Sequence, residues 1–469
     1  MKPSLLPSSQ LTGMPAFTVI WVGQLVSLIG SALTHFAIGI WLYQKTGLAT
    51  TFTTMIFFTH IPRIILSPFA GVLVDRWNRK LMMMISDLAT GLTTILIFLL
   101  IRGGSLEIWH IYLLAALSSA FESFQFPAYS SAITMMVEKK HFARTSAMLS
   151  LADEGSRVIA PILAAALIGS IQLGGIILID ILTFAVAIGT LLIVPITQPK
   201  QSETGKKAGR GLLKEAGYGF RFMLEHPSLL GIQVNFLMVN LMSGLSTVLR
   251  TPMVLARTGN NEIILGIVSS IMAGGGVVGG VVMSIWGGPK RRIHGILGGI
   301  LLINLARAIL GLGQEVIVWS IGGFFITFFI SLTNSTNQAL WQSKTPADVQ
   351  GRIFATRRLT GQLTFPIAVL IAGPLSDKWF EPAMAVNGSL TPVLGGLVGT
   401  GPGAGMSLLI LLSAVIGLIL PVLSYTLPAI RNVEDIVPDI EVLAPNVPTQ
   451  TESIRDDYGK QKRTSSAKL

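Results

Sequence analysis

Apolar runs of about 20 residues or more recur along the chain, each long enough at about 1.5 Å per residue to cross a bilayer. Hydropathy places six of them near 15–43, 48–74, 81–102, 107–136, 145–170 and 173–197. A polar stretch containing QPKQSETGKKAGRG follows, and six more runs lie near 229–255, 263–287, 294–312, 314–343, 353–376 and 403–428. The pattern predicts an all-α integral membrane protein: twelve transmembrane helices in two pseudo-symmetric six-helix bundles around a central cavity. The expected units are a first bundle over 1–197, a linker over 198–228, a second bundle over 229–428 and a polar, disordered tail over 429–469. Only Lys2 precedes the first run, which is far longer than a signal-peptide core and is therefore expected to remain as the first span.

A weak internal repeat supports the two halves. PAYSSAITMMVEKKHFARTSAML followed by SRVIAPILAAALIG in the first half parallels NSTNQALWQSKTPADVQGRIFAT followed by GQLTFPIAVLIAGP in the second. Each is a helix rich in Ser or Asn, a short charged loop, and a helix with a mid-span Pro followed by small residues. Paired repeats around a shared midplane site are the build of many secondary transporters.

Composition agrees with the pattern. The 469 residues are 51% hydrophobic and 12% charged, with a mean hydropathy of +0.66, against about 25% charged in soluble domains. The net charge of +11 is scattered through short loops, which speaks against a nucleic-acid partner. There is no cysteine, so disulfides and thiol chemistry are excluded. Lys and Arg gather on one set of span ends, at Arg76, Arg79 and Lys80, at Lys139, Lys140 and Arg144, at Lys290 to Arg292, and at Lys344, Arg352, Arg357 and Arg358. The other ends hold Lys45, Arg102, Arg257 and Lys378. The positive-inside rule then predicts a multi-pass protein of the cell membrane with the linker and both termini in the cytoplasm.

The stretch GVLVDRWNRK at 71–80 puts an acid among three bases between two spans. It resembles the signature of the major facilitator superfamily, usually Gly-x-Leu-x-Asp-Arg-x-Gly-Arg-Lys, with Gly71, Leu73, Asp75, Arg76, Arg79 and Lys80 in register. Asn78 replaces the second Gly, a mild departure if the position needs a left-handed turn. Read as chemistry alone, Gly71 permits close helix contact, Asp75 is placed to accept from free N–H groups at a helix start, and the bases face anionic headgroups. The resemblance implies that Asp75 latches the cytoplasmic side by meeting helix 11 near Arg352. A plain basic anchor would need neither the Gly nor the Asp. GPLSDKWFEP at 373–382 repeats the lettering but falls at the opposite face, so it is expected to have no corresponding task. The positional counterpart, GGPKRRIHG at 287–295, keeps the Gly and the bases but has no Asp.

Helix 5 carries Ala160, Pro161, Ala164 and Ala165 where drug antiporters tend to show Gly-Pro-x-x-Gly-Gly. Small residues allow close approach, and the expected partner is AGGGVVGG on helix 8, with Gly276 and Gly280 among its glycines. PAYSSAITMMVEKKHFARTSAMLSL is similar to the macrolide and siderophore exporter branch of the superfamily. That resemblance implies proton-driven export of a small amphipathic or hydrophobic molecule, with no cofactor beyond the proton gradient. A lysophospholipid transporter is the alternative, and membrane lipid is the expected surrounding partner of a protein working as a monomer.

Intramembrane charges need a partner, a wet cavity or a task. The first half holds Arg63, Asp87, Glu122, Asp153, Glu154, Arg157 and Asp180, whereas the second-half spans hold only Arg250 and Arg307. Proton chemistry is therefore expected in the first half. Asp153 and Glu154 lie four and three residues before Arg157, so one base can face both acids, either as a neutralised group or as a coupling element. Glu122 has no base within one helical turn and falls near the midplane, which makes it a candidate proton carrier; pairing with Arg63 or Arg157 is the competing reading. Asp87, about 9 Å into helix 3, is expected to join the latch. No Gly-x-x-x-x-Gly-Lys-Ser/Thr loop, HExxH or GxSxG motif occurs, and His110 with Glu107 makes no metal set, so neither an ATPase nor a membrane enzyme is expected.

Overall fold

The computed structural model describes residues 12–196, 212–346 and 349–439, excepting the side chains of Pro68, Gly71, Val72, Asp75, Arg76, Ala143, 212–218, Gly351, Arg352 and Ala355. The first half comprises α1 (Gly13–Thr46), α2 (Ala49–Arg76), α3 (Arg79–Arg102), α4 (Ile108–Met136) and one long segment, Phe142–Ile193. Gln172 breaks that segment at φ 56°, and its two arms, 142–171 and 173–193, are α5 and α6. A short helix α7 (Leu212–Glu225) follows in the predicted linker. The second half comprises α8 (Pro227–Arg257), α9 (Glu262–Trp286), α10 (Arg292–Leu312), α11 (Val316–Lys344), α12 (Gln350–Leu375), the short α13 (Glu381–Met384) and α14 (Thr391–Val398), and α15 (Ala404–Thr426).

Twelve of these helices span the membrane, and the protein is an all-α, multi-pass membrane protein of two six-helix bundles. By length and hydropathy alone nine segments qualify among the described residues, one of them carrying both α5 and α6. The two remaining spans, α2 and α4, carry His60, Arg63, Ser118, Ser119 and Glu122 among their apolar residues. A helix that carries function must give up part of its apolar surface.

Close helix approach is set by glycine where the neighbour is backbone or a β-branched side chain. A Cβ on Gly30 of α1 would lie 2.1 Å from Thr183 Oγ1 and 3.1 Å from Asp180 Oδ1, both on α6. On α9, Gly275 and Gly279 seat against the backbone oxygens of Phe324 and Phe328 on α11. That differs from the expected use of this glycine run against helix 5. The α5 contact is made one face round the helix, where Gly266 meets Ala165 and the carbonyl of Pro161, and Ser270 Oγ donates to Val158 O at 3.3 Å. Ala160 and Ala164 are buried inside the first half, Gly276 accepts from Ser331 Oγ at 3.0 Å, and Gly280 has open space at its Cβ position.

The base-rich ends are tied within each half. Asn78 does not take a left-handed conformation: at φ −67° it caps α3, its side chain accepting from Leu81 N–H at 3.0 Å. Lys80 Nζ lies on the last carbonyls of α6, those of Leu192 and Val194, at 3.3 and 2.9 Å, where the helix dipole favours a cation. Arg79 donates to Ser131 O on α4 at 3.2 Å.

In the second half the predicted tail begins with structure, as α16 (Pro428–Arg431) and α17 (Val433–Ile436), and residues 440–469 lie outside the described residues. Glu434 accepts from Ile293 N–H at the start of α10, Arg291 pairs with Asp435 at 3.1 Å, and buried Lys344 pairs with Asp439 at 2.8 Å. The hydrogen bond and charge of Lys344 hold the Asp439 carboxyl below its ordinary range. The tie is therefore fully present above the ordinary value and is lost only as pH falls through the lowered one. Asp439→Ala is expected to lower stability by about 0.5–1 kcal/mol at neutral pH, the half-exposed carboxylate limiting the effect. Thermal unfolding at pH 7 and below pH 4 checks this, the difference from the parent protein shrinking in acid.

Among the described residues, the halves share an apolar core at the base-poor end. One core joins Ile40, Tyr43 and Ala49 of the first half to Val248, Leu249, Val268, Ala368 and Ala372 of the second. The cores at the base-rich ends are separate: one is built from Phe17, Val74, Met83, Tyr129 and Leu191, the other from Ile232, Ile293, Leu340, Trp341 and Ile353.

Polar contacts reinforce closure at the base-poor end. Gln44 on α1 donates to Glu262 at the start of α9. Asp377, just beyond α12, accepts from the N–H groups of Ala49 and Thr50 at 3.0 and 2.7 Å. Those are the first two residues of α2, whose own N-cap position, Leu48, offers no side-chain acceptor. GPLSDKWFEP therefore has a task after all: its Asp caps, from the other half, a helix that cannot cap itself. Its Gly is equally placed, since a Cβ on Gly373 would lie 2.6 Å from Thr50 Cα and 3.0 Å from Thr50 N.

Candidate functional site

Three first-half helices bring a compact charged cluster together. Arg63 of α2 forms an ion pair with Glu122 of α4, and His35 Nε2 of α1 lies 3.9 Å from the same carboxylate. Ser118 Oγ, one turn before Glu122, adds a bond at 3.3 Å. The side chain of Arg63 is 52% exposed and that of Glu122 only 22%, so the base forms the open face of the pair. Glu122 is thus paired, as the competing sequence reading allowed, and the isolated midplane carboxylate is not found. His35 belongs to the same cluster.

The other first-half acids divide by environment. Asp87 accepts from Gln24 Nε2 at 2.9 Å, and Gln125 Nε2 donates to Gln24 Oε1 at 3.1 Å, so among the described residues Asp87 ties α3 to α1 and α4 inside the first bundle. Arg157 pairs with Asp153 at 3.4 Å, and both are more than half exposed. Glu154 is also exposed. Asp180 is almost fully buried and accepts from Ser31 Oγ at 3.1 Å.

The second half presents no acid opposite this cluster. Spans α8 to α12 and α15 carry no Asp or Glu beyond Glu262 at the first residue of α9. Arg307 is buried and donates to Asn304 and to Ser243 Oγ, and Arg250 sits against the sulfur of Met272 with its Nε unpaired. His60 of α2 packs on Phe365 of α12, ring centroids 5.0 Å apart, an aromatic contact between the halves one turn from Arg63. Among the described residues no set of three or more His, Cys, Asp or Glu could hold a metal ion. The arrangement can hold and exchange charge in the first half while offering apolar, aromatic and basic surface from the second.

The candidate latch, Gly71, Asp75, Arg76 and Arg352, lies outside the described residues as far as side chains are concerned. What sequence reasoning missed was legible in part. Arg63 and Glu122 each lie 14 residues from the first residue of their helix, Ala49 and Ile108, and both helices start at the base-poor end. Equal depths of about 21 Å place them side by side once α2 and α4 are neighbours.

The family model described as Major Facilitator Superfamily matches residues 20–369. Macrolide efflux protein A of Streptococcus pyogenes is 25% identical over 379 residues, covering 78% of this chain and 91% of that protein. The protein of the same name from Enterococcus faecalis is 23% identical over 319 residues, covering 66% of this chain and 96% of that one. Among solved structures, a bacterial homolog of the human lysosomal transporter Spinster, in an inward-facing and unoccupied conformation, matches with a TM-score of 0.65 at 14% identity, covering 92% of this chain and all of that one.

Proposed function

This chain belongs to the Major Facilitator Superfamily, and on that premise we propose that it exports a small amphipathic or hydrophobic compound of the macrolide type in exchange for protons, by alternating access. The observation that carries the reading is the charge asymmetry of the spans: every membrane-embedded acid lies in the first half, around Glu122, Arg63 and His35. Titratable groups in one half and apolar, aromatic and basic surface in the other suit a carrier that exchanges protons against an uncharged or amphipathic load. The two macrolide efflux relatives supply the substrate class.

The base-rich ends then face the cytoplasm. On that orientation the described state is closed outside by the shared core and the Asp377 cap, and its halves are separately packed inside. Asp75 is the counterpart on the cytoplasmic side, working when that side closes. Asp75→Asn is expected to slow transport several-fold with little loss of folded protein, because a carboxylate at a helix start is worth about 0.3–2 kcal/mol. A fully active variant removes the latch.

Expression of the protein in a drug-sensitive host is the test of substrate class. Resistance to macrolides should rise, and should fall back when a protonophore collapses the gradient. Resistance unchanged across macrolides, with altered handling of lysophospholipid instead, overturns the export reading in favour of a lipid transporter.

A further inference from the structure

Behind the charged cluster lies a second, smaller polar site. Ser31, Thr34 and His35 of α1, Thr90, Thr93 and Thr94 of α3, Ser118 of α4 and Asp180 of α6 meet around a pocket with about 30 Å³ of free volume. That is room for an ion or one or two waters and far too little for an organic substrate. Asp180 is 3% exposed, and among the described residues no Lys or Arg forms an ion pair with it. The titratable and charged groups around it are few. His35 borders the pocket from α1 and is turned toward Glu122; α2, α3 and α4 contribute only Met55, hydroxyls and apolar side chains.

From this geometry we propose that Asp180, rather than Glu122, binds the proton that is exchanged for substrate; the inference rests on the transport reading above. A buried carboxylate without a base must be neutralised for much of the cycle. The hydroxyls of the pocket serve both of its states. Ser31 Oγ donates to one carboxylate oxygen at 3.1 Å, and Thr94 Oγ1 lies 3.5 Å from the other. Thr34 Oγ1 lines the same pocket, is buried, lies close to the Asp180 carboxyl, and makes no hydrogen bond within 3.5 Å. It is the group free to accept from the carboxylic acid, the state that the donors Ser31 and Thr94 leave unserved.

The hydroxyls of Thr93 and Thr94 donate to Thr90 O, at 2.7 and 3.2 Å, which leaves their lone pairs free, so a sodium ion is the rival occupant, distinguished from a proton by a sodium gradient at equal pH. The link to substrate runs through His35 and Ser118, which border this pocket and also contact Glu122. Glu122, held by Arg63, is the structural partner through which the charge state of Asp180 is felt at the gap between the halves. Gly30 keeps α1 close enough for Ser31 to reach Asp180, as its missing Cβ shows.

The test uses the full chain in proteoliposomes with a tritiated macrolide, comparing gradient-free counterflow with accumulation driven by a pH gradient at equal sodium. Asp180→Asn should keep counterflow within about twofold of the parent protein and lose pH-driven accumulation. Thr34→Val should keep both modes but move the proton concentration for half-maximal flux by about fivefold, the worth of one hydrogen bond. Accumulation by Asp180→Asn equal to the parent's overturns the assignment, as does a sodium gradient at equal pH replacing the pH gradient. If Asp180→Asn does not fold, an unmoved half-maximum in Thr34→Val overturns it. A parent protein that shows counterflow but no response to pH defeats the proton-coupled reading, and this inference with it, whereas absence of counterflow defeats the substrate class.

Discussion

Alanine at position 373 is expected to force apart the contact between the two halves at their base-poor end. The added Cβ meets Thr50 Cα at 2.6 Å and Thr50 N at 3.0 Å, and both are backbone atoms that no rotamer change can move. Overpacking of this kind costs about 1–3 kcal/mol, and the displaced helix start also loses the two bonds from Asp377. A shift of about 2–4 kcal/mol changes the ratio of closed to open forms by about 30-fold to several hundred-fold. Asp377→Asn keeps the shape and removes the charge, so its shift should be smaller, near the 0.3–2 kcal/mol of a carboxylate at a helix start. Because the chain has no cysteine, Lys45→Cys paired with Asn260→Cys gives two labels without background at the base-poor ends of the two halves. Spin-label distances should lengthen and broaden in Gly373→Ala, modestly in Asp377→Asn. An unchanged distance distribution in Gly373→Ala contradicts the closure.

Breaking the pair of Arg63 and Glu122 should be the second large effect. Removing one partner of a buried pair costs about 3–5 kcal/mol, and the half-exposed Arg63 reduces this to about 1–3 kcal/mol here. Arg63→Ala leaves Glu122 with only His35 and Ser118, and Glu122→Ala leaves a base in the gap. Each single change is expected to cut counterflow and gradient-driven flux alike by about tenfold or more, and the double change to recover part of the counterflow. That pattern separates this pair from Asp180, whose loss spares counterflow. Additive single and double effects would mean that the two residues do not act as a unit.

The spans, their number and the two halves were legible because each rests on local information: a run of apolar residues, its length, and the bases at its ends. The failures have a common physical origin. Spacing along one helix says which residues share a face, but not which neighbour that face meets. The glycine run of α9 is expected to meet helix 5, yet its Gly275 and Gly279 seat on α11 while Gly266 meets α5. Glu122 looked isolated because its base is 59 residues away on α2. Asp180 showed no partner along α6, and its pocket exists only where α1, α3 and α4 converge.

Asp377 is the instructive case. Its stretch was set aside because it lies on the face opposite GVLVDRWNRK, and the topology was right. The missing signal was at the other end of the contact, where α2 begins after Leu48 with no Ser, Thr, Asp or Asn to cap it. A helix start without a cap of its own needs an acceptor from elsewhere, and the acid at the end of α12 is in reach. On the proposed orientation, Asp75 in the last turn of α2 and Asp377 after α12 bias the two closed states in opposite directions, each by a few kcal/mol at most.

The most direct measurement is uptake of a labelled macrolide by proteoliposomes holding the full chain, with a pH gradient imposed as the sole driving force. Proton exchange predicts that an acid lumen drives accumulation above the equilibrium level, that the lumen alkalinises as substrate enters and protons leave, and that both collapse on adding a protonophore. Flux that equilibrates at the same rate and the same level with and without the gradient would contradict it.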